Sequence, residues 1–383
     1  MKNHMHNEIH EQPEVLATIL EEEWGKVVGA ARTLRGRNFR FAMLAARGTS
    51  DNAAIYAKYL FEVMLGIPTA LASPSTFTLY EGRMDLDNVL VVGISQSGES
   101  KDILETVDRT RELGASTLAI TNDDGSSLAR AAGIHLSLHA GKEQSVAATK
   151  TYTAQLLLLY LLVAALKGEE PGTGVRHLPD QAASVLAEGR WENTARYRYV
   201  EHLVVSSRGY NFATAKEAAL KLMEATSVVA QGFSAADLRH GPIAMIGYDF
   251  PVVAVVPPGK ARPGAEVLVE ELANRGAELV VIAEDSAIVD KGAAGFRMPV
   301  SCPEELSPIL YALPAQMLAH DLALLKGLDP DAPRGLSKVT ETWWPARHSG
   351  RPIAGCATCP TASPSSRLGT CTPPAMSRAG CCG

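Results

Sequence analysis

Cysteine is almost absent from the body of this chain. Of six cysteines only Cys302 lies in the first 355 residues; Cys356, Cys359, Cys371, Cys381 and Cys382 crowd into the C-terminal end. The body therefore has no disulfide framework, as expected of a reducing compartment. Positive charge is not in surplus either: 36 Lys and Arg face 42 Asp and Glu, for a net charge of −6. That excludes the electrostatic footprint of a nucleic-acid or anionic-membrane binder. A small anionic substrate must then be held by local dipoles. The most apolar run, residues 156–166, is too short to span a bilayer and reads as a buried helix. Residues 1–12 are polar and lack the apolar centre of a secretory leader. The expected location is the cytoplasm. The body shows no His/Asp/Glu cluster at metal-ligand spacing, so neither a metal nor a cofactor is expected.

What is present fits a globular enzyme. The length of 383 residues suits two domains better than one, and 46% of the chain is apolar. Residues 8–34 read as helical, with Val15, Ile19, Val27 and Ala31 at helical spacing. Apolar runs then alternate with helical stretches. Strands are expected at 39–46, 69–72, 89–94, 117–121 and 134–138, with helices at 52–65, 103–113 and 151–166. Residues 168–174 are rich in Gly, Pro and Glu and read as a linker, followed by a helix running through Glu188 to Tyr197. The alternation restarts with strands at 202–206, 251–256 and 278–283 and helices at 212–225 and 267–275. A closing helical region, 306–326, is expected to be interrupted by Pro308 and Pro314.

Strands alternating with helices imply parallel sheets covered on both faces. Both halves open with a strand that runs into an Arg-Gly turn, at Arg47-Gly48 and at Arg208-Gly209, with an Asn and a helix soon after. The expected fold class is α/β: two doubly wound three-layer α/β/α domains in tandem, each on a parallel sheet of about five strands. The expected divisions are a helical segment at 1–34, a first domain at 35–168, a linker and helix at 169–197, a second domain at 198–336 and a short tail at 337–344.

From Pro345 the composition changes abruptly. Residues 345–383 contain no Asp, Glu, Lys, Asn, Gln, Val or aromatic residue. Such a segment has too little apolar surface to offset its ordering entropy and is expected to be disordered. Its composition is also that of out-of-frame translation of a GC-rich gene. Zinc binding by its cysteines is not expected, for want of flanking hydrophobic structure.

The strongest local motif is Gly93-Ile94-Ser95-Gln96-Ser97-Gly98-Glu99-Ser100. A strand ends in small hydroxyl residues and a helix follows at once. Helix-start N–H groups and the hydroxyls of Ser95, Ser97 and Ser100 suit a phosphate, and the site lies at the carboxyl end of a parallel strand. Ser residues also cap helices routinely, so a plain N-cap stands as the alternative. Arg47-Gly48-Thr49-Ser50 is a second turn of this type. In the other half Glu217, Leu220, Lys221 and Glu224 share one helix face; by themselves they read as a salt-bridged surface face. Downstream come Leu238-Arg239-His240-Gly241-Pro242 and Gly335-Leu336-Ser337-Lys338.

Taken together with Ser145-Val146-Ala147-Ala148-Thr149-Lys150 and Ala218-Ala219-Leu220-Lys221-Leu222-Met223-Glu224, these motifs resemble one family over residues 12–342. It is the tandem sugar-isomerase (SIS) family, represented by the isomerase half of glucosamine 6-phosphate synthase and by stand-alone glucosamine-6-phosphate deaminases and fructosamine deglycases. The resemblance implies roles. Ser95, Gln96, Ser97 and Ser100 match the phosphate loop, with Ser100 where the synthase has Thr. Thr49, Ser50 and Val146 match sugar contacts, and Ser337 stands beside them next to Lys338. Glu224 matches the acid/base that moves a proton between C1 and C2, and Lys221 beside it is expected to contact the substrate. His240 matches the ring-opening acid/base that reaches in from the neighbouring subunit, implying a homodimer with a shared site. Lys338 matches the lysine that forms a Schiff base with the open-chain ketose.

The synthase carries a glutaminase domain with an N-terminal cysteine nucleophile. No cysteine precedes Cys302, and the sequence ahead of the match leaves no room for that domain. The expected reaction is therefore deamination of glucosamine 6-phosphate to fructose 6-phosphate and ammonia. A synthase-type isomerase fed with ammonia and a fructosamine-phosphate deglycase are the enzymatic alternatives. A sugar-phosphate sensor is the non-catalytic one, disfavoured because it would not need Glu224, His240 and Lys338 together. The expected partner is a small sugar phosphate, with no nucleic acid and no membrane. The bulky Trp343-Trp344 and the residues beyond stand where the family chain ends, and would be expected to hinder closure over a substrate.

Overall fold

The computed structural model describes residues 3–189, 191 and 193–338. The expectations for residues 339–383, including the disordered extension and its cysteines, lie outside the described residues.

Two five-stranded parallel sheets follow one another along the chain. The first is built from β1 (Phe41–Ala45), β2 (Thr69–Leu71), β3 (Val89–Ser95), β4 (Ser116–Thr121) and β5 (Ile134–Ser137), in the order β2-β1-β3-β4-β5. The second is built from β6 (His202–Ser207), β7 (Val229–Ser234), β8 (Pro251–Val255), β9 (Glu278–Ala283) and β10 (Ala294–Arg297), in the equivalent order β7-β6-β8-β9-β10. The central strands are buried on both faces, as β3 shows along its whole length, which is why they read as continuous Val/Ile/Leu runs. One apolar cluster runs through both sheets and includes Leu44 and Leu90 of the first and Leu203 and Val205 of the second.

Two strands were not legible. β7 carries Gln231 and Gly232 and its residues alternate between exposed and buried. It is a sheet edge, where the apolar pattern is thin. Gly232 is required there, because a Cβ would come within 2.6 Å of the Ala215 carbonyl oxygen. The helix Phe212–Thr226 can thus lie directly on the strand. β10 is four residues long and equally weak in pattern.

The helix expected to run through Glu188 to Tyr197 does not form. The helix Leu178–Glu188 stops at Gly189, whose φ of 70° is left-handed, and a separate 3₁₀ turn covers Thr194–Tyr199. The closing helix, by contrast, is continuous over Ser307–Leu325. Pro308 occupies its first turn, where no N–H is needed. Pro314 lies inside it, in a helix buried almost throughout, and its carbonyl accepts from Trp191 Nε1 at 2.8 Å. By length and composition this helix could cross a membrane, but it packs inside the fold.

The N-terminal segment is helical in pieces: His4–His10, Gln12–Thr18, a π-helical turn at Ile19–Glu23 and Trp24–Arg35. They pack on the long buried helix Lys150–Lys167 and on Ser307–Leu325. The helices Thr49–Leu60 and Phe212–Thr226, one from each sheet, also pack together. Tyr56 of the first also donates to the Glu305 carbonyl, just ahead of Ser307–Leu325, at 2.6 Å.

Candidate active site

In a sheet of this strand order the chain connections diverge between β1 and β3, which opens a crevice at their carboxyl ends. Residues 47–50 leave β1 and residues 95–100 leave β3 on either side of that crevice. An open cleft of about 370 Å³ lies there, lined by both turns.

The loop after β3 is shaped by Gly98, whose φ is +66°. Its N–H donates to Ser95 Oγ at 3.1 Å, and the Glu99 N–H donates to Ser97 Oγ at 3.3 Å. The helix Lys101–Glu112 begins immediately. Ser100 is its N-cap residue, yet its hydroxyl makes no capping bond; it donates to Asp102 Oδ1 at 3.3 Å. The plain N-cap reading of Ser100 therefore fails, and the start of this helix, where the dipole is positive, borders the cleft through Ser100 and Ile103. Buried Asp102 also accepts from Arg47 Nε at 2.6 Å, which ties the β1 turn to the start of this helix.

The second wall comes from the helix Phe212–Thr226. Its Glu217, Lys221 and Glu224 do not form a surface face. Glu217 and Lys221 are buried, and only Glu224, 22% exposed in its side chain, lines the cleft. Lys221 Nζ bonds to Glu224 Oε2 and lies 3.5 Å from Glu217 Oε1. Glu217 further accepts from Thr49 Oγ1 at 3.1 Å and from Asn52 Nδ2 at 2.7 Å. Burial pushes the Glu217 pKa up to about 7, against the pull of Lys221, Asn52 and Thr49. Burial also opposes the Lys221 ammonium, but Glu217 and Glu224 outweigh it and hold its pKa above the ordinary value. Lys221 thus acts from behind Glu224 and does not line the cleft, unlike the substrate contact the sequence implies.

The third wall is formed by the loop after β5 and the end of the described chain. Val146, Ala148, Leu336, Ser337 and Lys338 line the cleft there. Lys338 Nζ donates to Glu143 Oε2 at 2.9 Å and to the Ser145 carbonyl at 2.6 Å. Glu143 is buried and is held by the N–H of Thr149 at 2.9 Å and the hydroxyl of Thr151 at 2.8 Å. Beneath the floor, Ser50 Oγ accepts from Gln155 Nε2 at 3.0 Å.

Of the residues singled out from sequence, Thr49, Ser50, Ser95, Gln96, Ser97, Ser100, Val146, Glu224, Ser337 and Lys338 line this one cleft. His240 does not. It is exposed at the end of the short helix Ala235–Arg239, where its Nδ1 donates to the Ala236 carbonyl at 2.8 Å. Sequence reading passed over Arg47, Asp102, Glu143 and Glu217 as site residues. A charged side chain, in a loop or on a helix, looks like any solvated one until burial and partners are known. Among the described residues no cluster of His, Cys, Asp or Glu has the arrangement to hold a metal ion.

Comparison with known proteins shows the family of this fold. The family profile for the SIS domain matches twice, over residues 40–165 and 197–326. The glutamine--fructose-6-phosphate aminotransferase [isomerizing] of Methanothermobacter thermautotrophicus is 37% identical over 338 residues, covering 87% of this chain and 56% of that protein. The chain thus spans little more than half the length of such relatives. Among solved structures, a Silicibacter pomeroyi protein assigned as a phosphosugar isomerase superposes with a TM-score of 0.78 at 29% identity, covering 86% of this chain and all of that one. The C-terminal domain of glucosamine-fructose-6-phosphate aminotransferase from Francisella tularensis gives 0.76 at 26%, covering 87% and 99%. With both sheets lying inside the matched segments, the chain belongs to the SIS domain family.

Proposed function

We propose that this protein is an enzyme acting on a phosphorylated amino sugar, converting glucosamine 6-phosphate and water to fructose 6-phosphate and ammonia. One observation carries the reading: a hydroxyl-lined loop at a helix start, a carboxylate and a lysine amine, drawn from three distant stretches of chain, line a single cleft. The loop at 95–100 takes the phosphate. Glu224, backed by Lys221, moves the proton between C1 and C2 of the open chain. This turns the C2 amine into a C2 imine. The Lys338 amine adds to that carbon and expels ammonia, leaving an imine to Lys338 that water hydrolyses to the ketose. His240 of a neighbouring copy opens the sugar ring, which makes the working unit a homodimer.

Cys302 is the sole cysteine among the described residues; it is buried, and burial pushes its thiol up to about 12, so it does not serve as a nucleophile towards an amide. A second reading, the isomerase step of an aminotransferase, is favoured by the names of the relatives that match at 33–37% identity.

The test is to incubate the full chain with glucosamine 6-phosphate, without glutamine or ammonia, and to measure ammonia and fructose 6-phosphate. Equal release of both, lost in Lys338→Ala, is expected. Absence of release, with glucosamine 6-phosphate formed from fructose 6-phosphate plus ammonia or glutamine, would establish the second reading instead.

A further inference from the structure

The N-terminal helix His4–His10 contributes no residue to the cleft lining, yet it is attached to both segments that hold Lys338. Asp331 caps the helix: its two carboxylate oxygens accept from the backbone N–H groups of His4 and Met5, each at 2.7 Å. The Asp331 carbonyl accepts from Val146 N at 3.4 Å. The helix is therefore joined to the C-terminal segment and, through it, to the loop after β5.

One turn along the same helix stands Glu8, 3% exposed. Its carboxylate accepts from the backbone N–H of Gln144 and from that of Ser145, the latter at 3.2 Å from Oε2. Burial raises the Glu8 pKa, and the Gln144 and Ser145 amides pull it back. Both amides flank the groups that bind the lysine: Glu143 precedes them, and the Ser145 carbonyl follows. These two acceptors fix the Lys338 ammonium at 2.9 and 2.6 Å. A buried carboxylate retained in a helix that faces no ligand is costly unless its hydrogen bonds serve the fold or the site.

We propose that Glu8 is a positioning residue for the Lys338 amine: by gripping the amides of Gln144 and Ser145 it sets the Glu143 carboxylate and the Ser145 carbonyl that aim the amine into the cleft. The inference rests on the reading of Lys338 as the imine-forming amine. It gives a helix that lines no part of the cleft a share in the reaction, through the loop after β5.

The experiment uses the full chain with fructose 6-phosphate and sodium borohydride, which reduces the imine to a stable amine detectable on the Lys338 peptide by mass spectrometry. Glu8→Gln keeps the size of the side chain but replaces one acceptor with an NH₂ that cannot receive an amide. The expected result is a fall of tenfold or more in the trapping rate and in kcat, with the Kd for fructose 6-phosphate changed less than twofold. The phosphate loop, which dominates that Kd, does not touch Glu8. A merely structural role would weaken phosphate binding and trapping together, and that outcome overturns the proposal. Trapping by Glu8→Gln at the wild-type rate, with none in Lys338→Ala, also overturns it while leaving the lysine reading intact. Trapping that survives in Lys338→Ala defeats the lysine reading and the proposal with it. Should Glu8→Gln fail to fold, Asp331→Asn cuts the other attachment of the same helix and carries the same expectation.

Discussion

The carboxylate of Glu304 accepts from the backbone N–H of Lys260 at 2.6 Å, and from that of Ala261 at 3.1 Å. These amides precede the helix Arg262–Asn274, which follows β8 as Lys101–Glu112 follows β3. The second sheet has the strand order of the first, so its crevice lies between β6 and β8. Glu304 fills from within the place that stays open at 97–100 in the first sheet. The same fold thus has two equivalent helix starts, and an internal carboxylate occupies one. Glu304→Ala is expected to cost about 1–3 kcal/mol by stranding two amides, read as a lower urea midpoint. An unchanged midpoint would mean that water replaces the carboxylate without loss.

Gly98 is tightly constrained in the loop proposed to take the phosphate. Its φ of +66° is left-handed, and a Cβ would lie 2.2 Å from Ser126 Oγ. Left-handed backbone costs a non-glycine residue about 1–2 kcal/mol before any clash. Gly98→Ala should therefore move the loop and raise the Kd for a sugar phosphate at least tenfold in calorimetry. A Kd equal to that of the wild type would remove the loop from the phosphate site.

Lys221 separates two carboxylates in the interior of the second wall. Lys221→Met leaves Glu217 with no adjacent cation and should destabilise the protein by about 3–5 kcal/mol, the usual cost of breaking one side of a buried pair. Adding Glu217→Gln should recover part of that loss, because the stranded charge is then gone. Strict additivity of the two changes in chemical denaturation would show that they do not interact.

The Glu217 pKa of about 7 against an ordinary 4.5 fixes the sign of a pH effect. Between those values the folded state holds a proton that the unfolded state has released. Stability from this group is therefore full below about pH 4.5 and is lost as pH rises towards 7. Other carboxylates titrate in the same range, so the quantity to measure is the stability of the wild type minus that of Glu217→Gln. Asn52 can turn its amide to suit the new side chain. The difference should fall between pH 4.5 and 7 and level off above; a difference that rises with pH would contradict the assignment.

The parallel strands, the turns after β1 and β3 and the Glu224 helix were legible because burial on both faces writes continuous apolar runs, and Gly and Ser punctuate where they end. β7 and β10 escaped because short edge strands carry little apolar pattern. Pro314 misled because intrinsic propensity counts its missing N–H and not the burial of the helix around it. Spacing placed Glu217, Lys221 and Glu224 on one helix face but could not tell an exposed face from a buried one, since both show charges at i, i+4 and i+7.

The order of residues alone put hydroxyl-bearing turns of the phosphate-loop type after β1 and β3, because helix starts and hydroxyls are local features. Only the tertiary structure decided that both turns line one cleft and that the helix start after β8 is filled by Glu304. It also decided that Lys338 meets Glu143 and Ser145 across 195 and 193 positions of chain. Contacts of that span depend on how the layers close over one core, and no local pattern records them.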